Sequence, residues 1–340
     1  MPKLSVGYQH SDEIAFSSYV TRYRDRIGEV YFAWVDQPSG RSMVGGYDGY
    51  FDYSIQSAMV EDLRRIKAEN VKLHLLFNGN CYGDEALSKS LAGRIYSIID
   101  YLSDMGIAPD GVTTTSPAIA FMIKERYDCI DLRASVNMRI GSIKGIEYQE
   151  SLFDSFCLAK ECNRDLDRLR EIKAYAEERG KRISILANSG CFRDCSGQIF
   201  HDNLVAHEAG ISCRKNIDFL PYTCWSYLRD REKHHTVLEN TWIRPEDIHH
   251  YEGLCDIIKL ATRMHALPGM VIDAYAREQY SGNLLDIFEP GHGPALAPVV
   301  VDNDRFPPEW FERTSTCDKR CDKCGYCRSV AERVFVNAGM

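Results

Sequence analysis

The segment RDLDRLREIKAYAEERGKRISILANSGC, residues 164–191, holds one complete helix-to-strand unit. From Arg164 to Gly180, apolar residues recur at helical spacing on one face while charges fill the other, and Gly180 supplies a stop. A short apolar run, Ile183–Ala187, follows at once and leads straight into Cys191. The same alternation recurs outward from it. Further β-type runs stand at Leu4–Gly7, Val30–Val35, Val71–Phe77, Gly111–Thr115, Asp131–Asn137, Phe156–Ala159 and Ile257–Leu260, with amphipathic segments at Ala58–Asn70, Ser88–Gly106 and Pro117–Tyr127. Eight such strands joined by helical crossovers predict a TIM-barrel-like (β/α)8 domain of the α/β class. An open dinucleotide-binding sheet is disfavoured, because no G-x-G-x-x-G follows the first strand.

Two stretches break the rhythm. Between the last two strands a polar, Cys-rich insertion runs from about residue 190 to 244, far longer than an ordinary connection, and insertions of this size commonly carry function. After the Gly/Pro-rich stretch EPGHGPALAPVV the chain ends in a second Cys-rich segment. The expected organisation is therefore a barrel domain over 1–300 with the insertion at about 190–244, and a small C-terminal appendage over 301–340 whose four cysteines bind a metal or cluster.

Composition bounds the function classes. The 340 residues are 44% hydrophobic and 26% charged, as in an ordinary globular protein. A formal net charge of -8 gives no general attraction to a polyanion, so RNA is not favoured as a partner and would need a local basic groove. No apolar run approaches the roughly 20 residues of a bilayer span, and the start MPKLSVGYQHSDE lacks a basic stretch followed by an apolar one, so a cytoplasmic protein with no membrane span is expected.

Thirteen Cys in such a chain point to metal or cluster ligation rather than disulfides. The tail TCDKRCDKCGYC sets Cys317, Cys321, Cys324 and Cys327 at gaps that let four thiolates reach one centre, a second iron-sulfur cluster or zinc. In the insertion, Cys191 and Cys195 directly follow a strand, at the mouth where barrel enzymes build active sites, and Cys213 and Cys224 follow in the same loop. Four thiolates there would suit a 4Fe-4S cluster or zinc. Buried apolar thiols are the plain alternative.

Polar residues at or just beyond strand ends are the candidates for the chemistry: His10, Asn78, Asn137, Arg139, Glu161, Asn188 and Lys259. Arg139 and Lys259 are suited to clamp a carboxylate, and Glu161 or His201 to act as acid or base. Peptidase signatures are thin. His207-Glu208 begins H-E-x-x-H, but Ile211 occupies the second His position, and no G-x-S-x-G or P-loop occurs. The doublets His234-His235 and His249-His250 read as surface features.

The strand-Gly-Cys-x3-Cys turn with Phe-His-Asp-Asn-Leu-x2-His behind it, the opening KLSVGYQ with VYFAW and SGR, the Ser135-Val136-Asn137 fragment and the Cys-Gly-Tyr-Cys tail resemble the collagenase-like peptidase family U32. The likeness is strongest over residues 183–207. It implies a TIM-barrel-like domain with an oxygen-sensitive 4Fe-4S cluster on four Cys, here Cys191, Cys195, Cys213 and Cys224, the last two assigned by order. Members of the wider family are hydroxylases that work without molecular oxygen, on ubiquinone precursors, a transfer-RNA uridine or a ribosomal-RNA cytidine, with prephenate implicated as oxygen donor in some. The expectation is an iron-sulfur oxidoreductase, an oxygen-independent hydroxylase or related redox enzyme acting on a small molecule or modified base. The alternatives are a metal-dependent peptidase or hydrolase, and a non-catalytic electron-transfer or partner subunit working beside a homologous protein or electron donor.

Overall fold

The apolar runs become eight parallel strands: β1 (Lys3–Gly7), β2 (Ile27–Ala33), β3 (Lys72–Phe77), β4 (Gly111–Thr114), β5 (Asp131–Ala134), β6 (Ser155–Cys157), β7 (Arg182–Leu186) and β8 (Ile257–Leu260). In this computed structural model, which describes residues 2–35, 37–40, 53–208, 211 and 217–338, they follow one another in chain order around a closed barrel. Closure is made by β1, whose Leu4 pairs with Ile27 on one side and Ile258 on the other. The α/β barrel expected from the sequence is the fold observed.

Helices α1 (Ser17–Arg22), α2 (Tyr53–Ala68), α3 (Lys89–Asp104), α4 (Pro117–Lys124), α5 (Ile143–Glu147) and α6 (Leu166–Glu178) occupy the first six crossovers. Their starts are written locally. Ser88, Ser116, Ser142 and Asp165 each accept a hydrogen bond from a first-turn amide, which satisfies a donor the helix leaves open. Their stops are equally local, with Gly106 and Gly180 at φ of 76° and 65°, where a side chain is strained. Strand starts share a device of their own: Asp110, Asp154 and Asp256, just before β4, β6 and β8, accept the amides of Leu73, Leu132 and Ile183 on the preceding strands.

One expected strand ends early. Ser135 Oγ accepts the Asn137 amide at 3.3 Å and curls the chain into a tight turn over Val136–Met138, so Asn137 stands on a turn rather than in β5.

The insertion between β7 and β8 carries α7 (Gln198–Ala206), α8 (Thr223–Tyr227) and the 3-10 segments Arg231–Glu239 and Pro245–Tyr251. In the first of these segments His234 is buried, its Nε2 lying 3.0 Å from the Leu228 carbonyl, so it is not the surface residue that the His-His doublet suggested. After β8 come α9 (Pro268–Arg277), β9 (Val299–Val301), α10 (Trp310–Ser315), α11 (Tyr326–Val334) and β10 (Phe335–Asn337), which pairs antiparallel with β9. An aromatic stack of Phe288, Trp242, Trp310 and Tyr326 ties the tail to the insertion, with ring centroids 5.0, 5.7 and 6.1 Å apart. Among the described residues no helix is long and apolar enough to cross a membrane.

Candidate functional site

Two glycines set the shape of the loop behind β7. A methyl group on Gly190 would fall 2.0 Å from the Pro290 carbonyl oxygen, and one on Gly197 would fall 2.3 Å from Thr223 Oγ1. Hydrogen alone at these positions lets the Cys191–Cys195 turn lie against Pro290 on one side and against the start of α8, which carries Cys224, on the other. Asn240 fastens the turn, accepting from the Arg193 amide at 3.3 Å and donating to the Gly190 carbonyl at 3.0 Å.

Cys191, Cys195 and Cys224 consequently line one cavity of about 320 Å³, walled by Phe192, His201, Tyr222 and Trp225. The Cys224 thiol is pushed up to about 11, first by burial and then by its neighbours Cys191 and Cys195. Cys213 lies outside the described residues. Among the described residues no three His, Cys, Asp or Glu side chains are grouped so as to hold a metal ion. The thiols border a hollow rather than converge on a point. Soft thiolate donors of this kind are those that iron-sulfur clusters and zinc both take.

A second cavity, of about 80 Å³, opens over the barrel mouth, and Cys191, Gln198, Met264 and Glu289 border both. Lys259, on β8, is buried there with its Nζ 4.1 Å from the Tyr31 ring centroid. Burial, reinforced by Arg133 and Arg263 and opposed by Cys157 and Glu29, pushes its pKa down. Arg139, at φ 55° after the turn that ends β5, reaches Asp202 on α7 at 3.2 Å and ties the insertion to the mouth. Lys160 donates to the Phe192 carbonyl at 2.7 Å and stands 4.0 Å from Glu161.

No family model matches the chain. An uncharacterised protease of Methanocaldococcus jannaschii is 26% identical over 284 residues, covering 82% of this chain and 81% of that one. A solved U32 peptidase has a TM-score of 0.53 and 15% identity, covering 77% of this chain and 92% of that one, and so shares the fold.

In fold the chain is like that U32 peptidase. The resemblance read from its sequence is thereby borne out, together with the barrel.

Of the residues expected at the mouth of this U32-like barrel, Asn78, Asn137, Arg139, Glu161 and Lys259 border the second cavity. His201 borders the first, edge-on to Tyr222 at a centroid distance of 5.0 Å. Two others do not join them. His10 borders a separate hollow with Phe16 and Asp62 and stands 3.2 Å from Asp12. Asn188 is fully buried, donating to the Ala261 and Ile287 carbonyls and accepting from the Ala261 amide, and acts as a staple between β7 and the segment after β8.

Sequence reasoning missed Lys160, Asp202, Arg263 and His292. Reading three residues beyond each strand end would have found Lys160 and Arg263. His292 packs against Phe192 and Trp225, and burial, with Lys160 as a lesser cause, lowers its pKa to about 4, so it is neutral at pH 7. The tail cysteines lie apart from both cavities: Cys317, Cys321 and Cys327 are half-buried and Cys324 is exposed.

Proposed function

We propose that this U32-like chain is an iron-sulfur enzyme that carries out an oxygen-independent hydroxylation or a related redox step on a small anionic molecule. The observation that carries the reading is the single cavity lined by Cys191, Cys195 and Cys224, which opens beside a cation-rich cavity at the barrel mouth. Cys213 supplies the fourth thiolate. A bound cluster would bring one-electron transfer or, with one iron open, Lewis acidity.

The chain's own groups supply the rest. Lys259 and Arg263 give positive charge at the floor of the mouth, where a low dielectric strengthens attraction for a carboxylate. Glu161 and His201 are placed on the two cavities to accept or donate a proton. Phe192, Trp225 and Tyr222 give the thiols an aromatic wall.

A hydrolytic reading draws on the name of the Methanocaldococcus jannaschii relative, an uncharacterised protease. The two readings separate in one assay. Protein loaded with iron and sulfide is incubated without oxygen, with pooled small carboxylates, water as the oxygen source and an added artificial acceptor for the two electrons released, and, in parallel, with peptides. The redox reading expects a mass gain of one oxygen on a small molecule, dependent on the cluster. Peptide cleavage by cluster-free protein contradicts it.

A further inference from the structure

Two of the lysines buried in this chain have acceptors: Lys160 donates to the Phe192 carbonyl at 2.7 Å and Lys173 to Asp256 at 2.6 Å. Lys259 differs from both. It is 9% exposed, yet among the described residues its Nζ has no hydrogen-bond acceptor and no carboxylate partner, only the Tyr31 ring at 4.1 Å. Glu29, the carboxylate whose charge reaches it, is already held by both terminal nitrogens of Arg133 and by Ser5. The Tyr31 ring is itself fixed, since its hydroxyl donates to the Leu260 carbonyl at 2.7 Å and a methyl group on Gly7 would fall 2.7 Å from the ring.

A buried amine left without an acceptor costs free energy, and here it borders the mouth cavity of about 80 Å³, where a ligand can answer it. The other donors on that cavity suit a carboxylate. Arg263, also buried, is steadied by donating to Ser39 Oγ at 2.8 Å. A methyl group on Gly40 would fall 2.7 Å from Asn137 Nδ2 and 3.0 Å from Asn78 Nδ2, so the bare glycine leaves both amides room at the edge of the same space. Glu161 is a carboxylate on this cavity that can take and return a proton. Burial, helped by Arg133 and Arg263 and opposed by Cys157 and Glu29, favours the neutral amine at Lys259, which is the nucleophilic form.

We infer that Lys259 is a nucleophile that binds a small carbonyl compound bearing a carboxylate, of the 2-oxo acid class, through an imine. Nζ adds to the carbonyl carbon and a proton passes from nitrogen to the carbonyl oxygen. The carbinolamine so formed loses water to give the C=N bond, with no electron gained or lost. Arg263 and the two asparagine amides hold the carboxylate. The inference rests on the mouth being a site for a small anion and is independent of the cluster.

The test incubates the full chain, purified without oxygen, with pyruvate and cyanoborohydride, which reduces an imine to a stable amine, and maps the label by peptide mass spectrometry. A carboxyethyl group is expected on Lys259, formed about tenfold faster than on exposed lysines such as Lys89 and slowed by excess malonate, which has carboxylates but no ketone. Acetone, a ketone without a carboxylate, is expected to label Lys259 about tenfold more slowly than pyruvate. Lys259→Arg keeps the charge but forms no imine, and is expected to lose the fast label while binding malonate more nearly as wild type does than Lys259→Met. Malonate binding with Lys259 unlabelled, or labelled no faster than Lys89, overturns the imine and leaves the anion site standing. Absence of both malonate binding and label overturns the imine and the anion site together.

Discussion

Glu29 and Arg133 meet fork to fork inside the barrel, with Nη1–Oε1 at 2.7 Å and Nη2–Oε2 at 2.8 Å, although they belong to strands β2 and β5 that are not neighbours. Ser5 donates to the same carboxylate at 2.6 Å, and His74 lies 3.4 Å from both Glu29 and Asp131. This polar plug sits toward the strand starts, away from the mouth, where barrels keep residues for stability. Although burial alone would raise it, the opposing charges of Arg133 and His74 and the bonds from Arg133 and Ser5 hold the Glu29 carboxyl far below its ordinary value of 4.5. Glu29→Gln leaves a buried guanidinium without its partner and is expected to cost about 3–5 kcal/mol. A depressed carboxyl stabilises the fold fully above its unfolded pKa, and that stabilisation is lost as pH falls from there toward the folded value. Urea denaturation from pH 7 down to pH 3 is therefore expected to show a steeper loss in wild type than in Glu29→Gln.

Lys259 governs the pH response of the mouth. Its pKa is lowered, so its ammonium is present below that value and is lost, with its attraction for an anion, as pH rises through it, earlier than for an ordinary lysine. Affinity for a small dicarboxylate such as malonate, measured by calorimetry, is expected to weaken on the alkaline side in wild type. Lys259→Met is expected to bind at least tenfold more weakly and to show a flat profile over the same range. Equal affinity in the two proteins contradicts the role.

Gly197 sets the spacing between Cys195 and the Thr223-Cys224 step. Gly197→Ala is expected to push Thr223, and Cys224 with it, away from Cys195, lowering iron content at the mouth by at least half. Far-UV circular dichroism is expected to remain unchanged, since the residue lies outside the barrel strands.

The barrel was legible because its strands are short, mostly apolar runs that alternate with amphipathic helical segments, a pattern that local sequence carries. Arg139 and Glu161 were legible as polar residues just past apolar runs, and Lys259 as a charge inside one, near its end. His10 and Asn188 satisfied the same rule and failed it in space, since nothing local distinguishes a staple such as Asn188 from a ligand contact. His292 and Glu289 had no signal. They reach the site through the bridge between Ser189 and Glu289, one hundred residues apart in the chain.

The most direct measurement is the iron and sulfide content of the anaerobically purified chain, compared with that of Cys191→Ala. The account predicts that the single substitution strips the mouth centre, lowering iron and sulfide together by about four per chain and removing its reduced-state resonance signal. Identical iron and sulfide in the two proteins, or none in either, contradicts it.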